Sequence, residues 1–286
     1  MKLLICIAKA TERNIATVNA AARRFSSLGY ECLADEENRH FFNETQTLVK
    51  FLDSIEAEKE CDLFVAVGGD GTMLLNSKRA IENDKPIFGI NSGRLGYLSA
   101  FDYSFVDSIT RQDIDSLAIS KRVLLELTLS SNTDKKYYAV NDVVISRGAQ
   151  AKSIELKLGY CKNVLSQFRS DGLIISSPTG STAYSLSAGG PIVEPGLNAI
   201  VVTPICAHSM FLRSVVLEYS KTKEVTVSPV EREDNKALVS VDGVLIKEVD
   251  FNDTITVRGC EKNLKLMVSN KRKFYDILRK DISERG

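Results

Sequence analysis

Leu63-Phe64-Val65-Ala66-Val67-Gly68-Gly69-Asp70-Gly71-Thr72-Met73-Leu74-Leu75 is the stretch that decides the fold. The apolar run Leu63 to Val67 reads as a buried strand, and Met73 to Ala80 as a helix. Between them stand two glycines, an aspartate, a third glycine and a threonine. Glycines at a strand-to-helix turn let the backbone come close to a ligand and leave amide N–H groups available at the helix start, which suits phosphate. No Gly-Lys-Ser/Thr follows at Walker A spacing, and the pattern is not G-x-G-x-x-G. Asp70 falls inside the phosphate cradle. An acid there repels phosphate unless it binds a metal or takes a proton from an attacking hydroxyl. The alternative reading of Gly68, Gly69, Gly71 and Thr72 is a tight turn capped by Asp70.

The flanking sequence alternates strand and helix. Leu3 to Ala8 is a short apolar run. Thr11 caps a helix with Ile15, Val18, Ala22 and Phe25 at helical spacing, and Gly29 ends it. Tyr30 to Ala34 reads as a strand, Thr47 to Ala57 as a helix with Leu48, Leu52 and Ile55 on one face, and Pro86 to Ile90 as a further strand. Such alternation predicts a parallel sheet covered on both faces, with ligands at the C-terminal strand ends.

Past residue 120 the pattern changes to short strand-like runs separated by polar turns: Val123–Leu129, Tyr137–Ile145, Ser153–Leu158, Val164–Phe168 and Leu173–Ser176. Others follow at Ala199–Thr203, Val215–Glu218, Glu224–Ser228, Ala237–Val241, Thr254–Arg258 and Leu264–Val268. Dense strands without long helices indicate an all-β domain. Ser181 to Ser187 starts a short helix within it, and Lys271 to Ile282 reads as a helix with Phe274, Ile277 and Leu278 on one face. The expected organisation is an α/β N-terminal domain with a parallel sheet over residues 1–105. An all-β domain follows over 106–268, and a C-terminal helix, 269–286, returns to the first domain.

The chain has 286 residues, 44% of them hydrophobic, which is ample core for one large or two ordinary domains. Lys plus Arg and Asp plus Glu each number 37, so net charge gives no basis for general nucleic-acid binding. Cys6, Cys32, Cys61, Cys161, Cys206 and Cys260 are scattered without a C-x-x-C pair and read as reduced thiols. The chain opens directly into a strand and has no signal peptide or apolar run of membrane-spanning length, so a soluble cytoplasmic protein without membrane partners is expected.

Three further stretches carry chemistry. Arg169 to Pro191 runs from a strand through Pro178-Thr179-Gly180 into Ser181-Thr182-Ala183-Tyr184-Ser185-Leu186-Ser187. Its hydroxyls and amides suit sugar hydroxyls, an amide or phosphate; the alternative is a Ser/Thr-rich capping loop. Asn91-Ser92-Gly93-Arg94-Leu95-Gly96-Tyr97-Leu98 is a glycine-punctuated loop whose Tyr97 faces either a flat base or a domain interface. Asn141-Asp142 interrupts an apolar run, as a sugar-hydroxyl pair or as a surface turn or bulge.

Together these motifs resemble the NAD kinases, which transfer a phosphoryl group from ATP to the 2′-hydroxyl of the adenosine ribose of NAD. The match runs over almost the whole chain in four ordered parts: Gly68–Thr72, Asn91–Leu98, Asn141-Asp142 and Asp171–Pro191. The first is shared with diacylglycerol, sphingosine and phosphofructokinase-like enzymes; the second and fourth are far more specific. The resemblance implies that Asp70 is the general base or hydroxyl-orienting acid, and that Gly68, Gly69, Gly71 and Thr72 form the phosphate-facing turn. It places Asn91 in the dinucleotide site, Tyr97 near adenine, Asn141 and Asp142 on ribose hydroxyls, and Asp171 near the nicotinamide amide. Thr182, Ala183, Tyr184 and Ser187 would line the pocket, with Arg169 beside it, often at a subunit contact. Mg²⁺ or another divalent cation, ATP or polyphosphate as donor, and a homodimer or homotetramer are implied likewise. The metal ligands are not identified.

Three positions depart from the family. Asn-Asp stands where Asn-Glu is frequent, Tyr97 stands where Phe is common, and Arg213-Ser214 stands where Arg-Pro is common after Ala207-His208. His208 at a strand end reads as structural, with a substrate contact as the alternative. The rival readings are a lipid kinase of the diacylglycerol or sphingosine type, against which the second and fourth motifs and the zero net charge argue, and a non-catalytic NAD(P) sensor, against which Asp70 argues.

Overall fold

The computed structural model describes all residues except 94–95, 150, 209–212, 232–234, 270–273 and 286, and the side chains of 281, 282, 284 and 285. Its contacts divide the chain into two units, Met1–Lys121 with Leu264–Gly286, and Arg122–Asn263.

The first unit is built on apolar runs. Strands β1 (Lys2–Ile7), β2 (Glu31–Asp35), β3 (Val49–Leu52), β4 (Leu63–Val67), β5 (Ile87–Asn91) and β6 (Ser99–Asp102) pair in parallel in the order β3-β2-β1-β4-β5-β6. Side chains alternate across a strand, so each run feeds both faces of the sheet. Leu3, Ile5, Val65 and Phe88 meet Val18, Ala21, Ala22 and Phe25 of α1 (Glu12–Ser27) in one core. Thr11 caps α1 as its sequence requires, its side chain accepting from Asn14 N at 3.2 Å. The other face carries α2 (Ser54–Glu60) and α3 (Asp70–Glu82). There Arg79 of α3 bonds Asp35 at 2.7 Å and Glu58 at 2.5 Å, with its guanidinium 5.8 Å over the Phe64 ring.

One expected helix is absent. Residues 47–57 form the end of a 3-10 turn (Gln46–Leu48), β3 and the start of the short α2, whose cap Asp53 accepts from Ile55 N at 3.0 Å. Parallel pairing with β2, from Cys32↔Val49 to Asp35↔Leu52, supplies the backbone partners that make this segment extended. Leu48 and Ile55, expected on one helical face with Leu52, are exposed.

The first unit also extends beyond the expected boundary at residue 105. Val106, Ile109, Ile114 of α4 (Arg111–Asp115) and Leu117 belong to the core around α1. A polar-looking segment therefore stays with the first unit because its few apolar residues are buried there.

The second unit is all β. Its strands are the part of β7 (Ala118–Leu129) from Arg122 onward, β8 (Asn132–Ala139), β9 (Asp142–Ser146), β10 (Ile154–Tyr160), β11 (Asn163–Ser170), β12 (Gly172–Ser176), β13 (Ala199–Ile205), β14 (Val215–Glu218), β15 (Val225–Pro229), β16 (Ala237–Val241), β17 (Val244–Val249) and the first part of β18 (Ile255–Val268). One antiparallel sheet runs β14-β13-β12-β9-β16-β17. Facing it, β11-β10-β15-β18 and the β7–β8 hairpin contribute to a shared core with Leu125, Leu127, Val143, Ile145, Leu156, Ile175, Val239 and Val257. The run Tyr137 to Ile145 is two strands broken at Val140-Asn141, and the two runs at 254–258 and 264–268 are one strand, β18. Strand β17 has no counterpart in the sequence reading. The helical turn α5 (Tyr184–Ser187) follows a 3-10 turn at Thr179–Thr182.

In the first unit the end of β18 pairs in parallel with β5, Leu266↔Ile87. Helix α6 (Phe274–Arg285) follows, with Ile277 buried and the Phe274 ring 5.8 Å from that of Tyr97. The start expected for this helix, residues 271–273, lies outside the described residues. Among the described residues no helix is long and apolar enough to cross a membrane.

Candidate functional site

Gly68 follows β4 with φ +150°, a conformation that favours glycine, and a Cβ there would overlap the Thr72 side chain. Gly69 caps α3 without a side-chain bond; its carbonyl accepts from Thr72 N at 2.9 Å and Met73 N at 3.1 Å. The chain thus turns from strand into helix within two residues. The first-turn amides of a helix have no carbonyl one turn back, and its dipole is positive at this end, so the turn favours an anion. Gly69 and Gly71 are exposed, and Thr72 is buried against Gly68.

Asp70 is the first residue of α3 and is half-buried. Its Oδ2 accepts from the backbone N–H of Tyr97 at 3.3 Å. A Cβ at Gly96 would overlap the carboxylate, so the glycine allows the loop after β5 to press against Asp70. Asn91 closes the start of that loop, accepting from Gly93 N at 3.2 Å and donating to Gly93 O at 3.3 Å. Ser92 donates to Asn14 Oδ1, and Arg13 donates to Ser92 O at 3.3 Å, tying the loop to the start of α1. Arg94 and Leu95, within the same motif, lie outside the described residues.

A second constellation forms in the all-β unit. Asp142 begins β9 and is only 5% exposed; Asn141 is half-buried. The loop after β12 lies directly against them. Ser177 N donates to Asn141 O at 2.8 Å, Ser177 Oγ donates to Val140 O at 2.6 Å, and Gly180 N donates to Ser177 Oγ at 3.2 Å. A Cβ at Gly180 would collide with the Asn141 backbone. Ser181 Oγ donates to Pro178 O at 2.7 Å and accepts from Val193 N at 3.0 Å, fixing the turn from inside. Thr182 and Ala183 are half-buried; Tyr184 and Ser187 are exposed, Tyr184 by 47%. The buried Thr179 Oγ1 has no hydrogen-bond partner among the described residues.

Burial, and then the negative charge of Asp242, push the Asp142 carboxyl up to about 7. Asp242 had no place in the sequence reading. It heads an Asp-Gly turn between β16 and β17, with φ +48° at Asp242 and +79° at Gly243. Its signal was available: Asp-Gly between two alternating apolar runs marks a hairpin. That its carboxylate turns back onto residues 140–142 was not.

Asp171 and Arg169 lie elsewhere in the second unit. Asp171 sits between β11 and β12 and pairs with Arg147 at 2.9 Å, a partner that no motif points to. Arg169, on β11 in the other sheet, is exposed and pairs with Glu155 at 3.3 Å. The backbone N–H of His208 donates to Arg169 O at 2.9 Å. The structure therefore brings Asn141 and Asp142 together with the 177–182 turn, and Asp70 together with Tyr97, while Arg169 is held apart in an ion pair of its own. Among the described residues no group of three or more His, Cys, Asp or Glu side chains gathers to hold a metal ion.

Two family models match the chain: ATP-NAD kinase N-terminal domain over residues 7–115 and ATP-NAD kinase C-terminal domain over residues 140–269. An NAD kinase of Acetivibrio thermocellus is 37% identical over 230 residues, 79% of this chain and 78% of that protein. An NAD kinase of Sulfurimonas denitrificans is 33% identical over 263 residues, 90% of this chain and 88% of that protein. A crystal structure of an NAD kinase from Archaeoglobus fulgidus in complex with ATP matches with a TM-score of 0.72 at 26% identity, covering 98% of both chains. A crystal structure of yeast NADH kinase complexed with NADH shares the fold, with a TM-score of 0.85 at 24% identity over 99% of this chain and 87% of that one.

Proposed function

The chain belongs to the NAD kinase family, and from that premise we propose how its residues divide the work of phosphorylating NAD with ATP. Asp70 carries the reading: it is a half-buried carboxylate at the head of α3, oriented by the Tyr97 N–H and packed against Gly96. A secondary hydroxyl attacks poorly unless its proton is accepted as the new bond forms. Asp70 accepts the proton of the ribose 2′-hydroxyl, or holds that hydroxyl in line. The amides of the turn carrying exposed Gly69 and Gly71, with the positive end of α3 behind them, bind phosphate oxygens. Thr72 fixes the turn by filling the space beside Gly68.

Asn141 and Asp142 hold ribose hydroxyls. A carboxylate accepts from two O–H groups and an amide offers both donor and acceptor. In the second unit Thr182, Ala183, Tyr184 and Ser187 contact the dinucleotide and Asp171 its carboxamide; in the first unit Tyr97 is assigned to adenine. Arg169 lies beside the pocket and Asn91 shapes the loop that carries Tyr97.

No lysine stands in the glycine turn or the first turn of α3, the next being Lys78, so phosphate charge must be offset otherwise. The turn offers one carboxylate, Asp70, which fits a divalent ion carried on the triphosphate, because Mg²⁺ keeps several waters and is held by one or two carboxylates plus substrate phosphates. Such an ion, when bound, neutralises charge on the transferring phosphoryl group, and Asp70 is the carboxylate of the turn nearest that role.

Exposed Val215 and Val216 on edge strand β14, and Val244 and Leu245 on the opposite edge strand β17, support a homodimer or homotetramer. Six free thiols support a reducing, cytoplasmic compartment.

The test is Asp70→Asn assayed with NAD, ATP and Mg²⁺, with product read by an NADP-specific dehydrogenase. Loss of a general base is expected to lower kcat by roughly 10²–10⁴-fold with little change in either KM. Near-normal turnover by the folded variant removes Asp70 from the mechanism.

A further inference from the structure

Val140 and Asn141 lie between β8 and β9, and Asp142 is the first residue of β9, so the amides of this corner need partners beyond the regular ladder. One side chain supplies them. The Asp242 carboxylate accepts from Val140 N at 3.0 Å through Oδ2, and from Asn141 N at 2.8 Å and Asp142 N at 3.2 Å through Oδ1. The bond is returned, Asp242 N donating to Asp142 O at 3.0 Å. Asp242 reaches this position from the tip of the β16–β17 hairpin, where its left-handed backbone is one that Asp and Asn tolerate. Strand β16 pairs with β9 from Leu238↔Ser146 to Val241↔Val143, so the hairpin tip arrives just where β9 begins.

We propose that Asp242 is a positioning residue for the dinucleotide: by gripping three consecutive backbone amides it presets the Asn141 and Asp142 side chains for ribose hydroxyls. The inference rests on the assignment of that pair to ribose. Turn chemistry alone does not account for the arrangement, because an Asp-Gly hairpin closes without its carboxylate reaching another strand. Nor does stability. The grip brings two carboxylates together at a buried position, and burial with the Asp242 charge raises Asp142 to about 7. In either protonation state the Asp142 carboxyl keeps acceptor capacity that an O–H donor satisfies. A vicinal diol brings two O–H donors, which makes a ribose edge the chemical class this arrangement fits.

The experiment uses steady-state kinetics of the full chain, with NAD and ATP varied separately, for Asp242→Asn, Asn141→Ala and Asp142→Ala. Asparagine keeps the turn conformation and one acceptor oxygen, but presents an NH₂ to the Val140 N–H. The expected result for Asp242→Asn is a rise of about tenfold in KM for NAD, with KM for ATP within twofold and kcat within about threefold. A purely structural role lowers the melting temperature without separating the two KM values. Unchanged KM for NAD in Asp242→Asn, with a raised KM in Asp142→Ala, overturns the positioning inference alone. If all three variants leave KM for NAD unchanged, the ribose assignment falls and takes the inference with it. An effect in Asp242→Asn without one in either alanine variant shows that Asp242 acts by another route, and also overturns it. Hydrogen exchange of the ligand-free wild-type chain needs no variant to fold: the amides of residues 140–142 are expected to be protected before NAD is added, and fast exchange there refutes a preset backbone.

Discussion

Replacing Asp142 by asparagine separates the cost of this buried acid from its use. Asp142 is 5% exposed, and burial followed by the Asp242 charge raises its carboxyl from the ordinary 3.8 to about 7. The folded chain therefore holds a proton at Asp142 that the unfolded chain has released, over the window between those two values. Where the folded state binds more protons, stability falls as pH rises, by about 1.36 kcal/mol per pH unit. The favourable state of Asp142 is thus fully present below about pH 4 and lost as pH climbs through 7. Asparagine has nearly the same shape and does not ionise. Between pH 5 and pH 8 the wild type loses roughly 1.36 × 2 ≈ 2.7 kcal/mol from this group, and the variant loses none of it. Urea unfolding of both proteins at the two pH values measures the difference. With a slope of about 3 kcal/mol/M, the variant's midpoint should gain about 1 M on the wild type between pH 5 and pH 8. The same substitution should weaken NAD, since a charge-assisted acceptor is lost, so stability and binding move in opposite directions. A midpoint difference equal at both pH values would show that Asp142 titrates normally and that its burial beside Asp242 has no electrostatic consequence.

Two further outcomes follow from geometry. Gly180→Ala places a Cβ into the Asn141 backbone; it is expected to cost about 1–3 kcal/mol and to raise KM for NAD, measured by thermal unfolding and kinetics, and a variant with wild-type values for both would mean the two segments are not in contact. Tyr184→Ala removes a side chain that is 47% exposed; its stability should stay within about 0.5 kcal/mol of wild type while KM for NAD rises more than KM for ATP, and equal effects on the two would assign Tyr184 to packing.

Local rules made much of this protein legible. Thr11 and Gly29 bound α1 because capping and a left-handed stop depend on neighbours only a few residues away. The Gly68–Thr72 turn is readable because a strand, three glycines and a helix start are contiguous. The β-rich character of the second unit showed in its runs of short apolar segments. Each of these is settled by interactions within one turn or one strand.

What only the tertiary structure decided involves partners far apart in the chain. Residues 49–52 are a strand because β2 offers them a ladder, although their apolar spacing also fits a helix. Residues 106–117 join the first unit because Val106, Ile109 and Ile114 are buried beside α1. Arg147 finds Asp171, and Asp242 finds Val140 across 102 residues of sequence. A motif records residue types at fixed spacing, and so it could single out Asn141-Asp142. It holds no information on which distant hairpin tip satisfies their amides, because that depends on strand order and register: β16 beside β9, with Val241 opposite Val143.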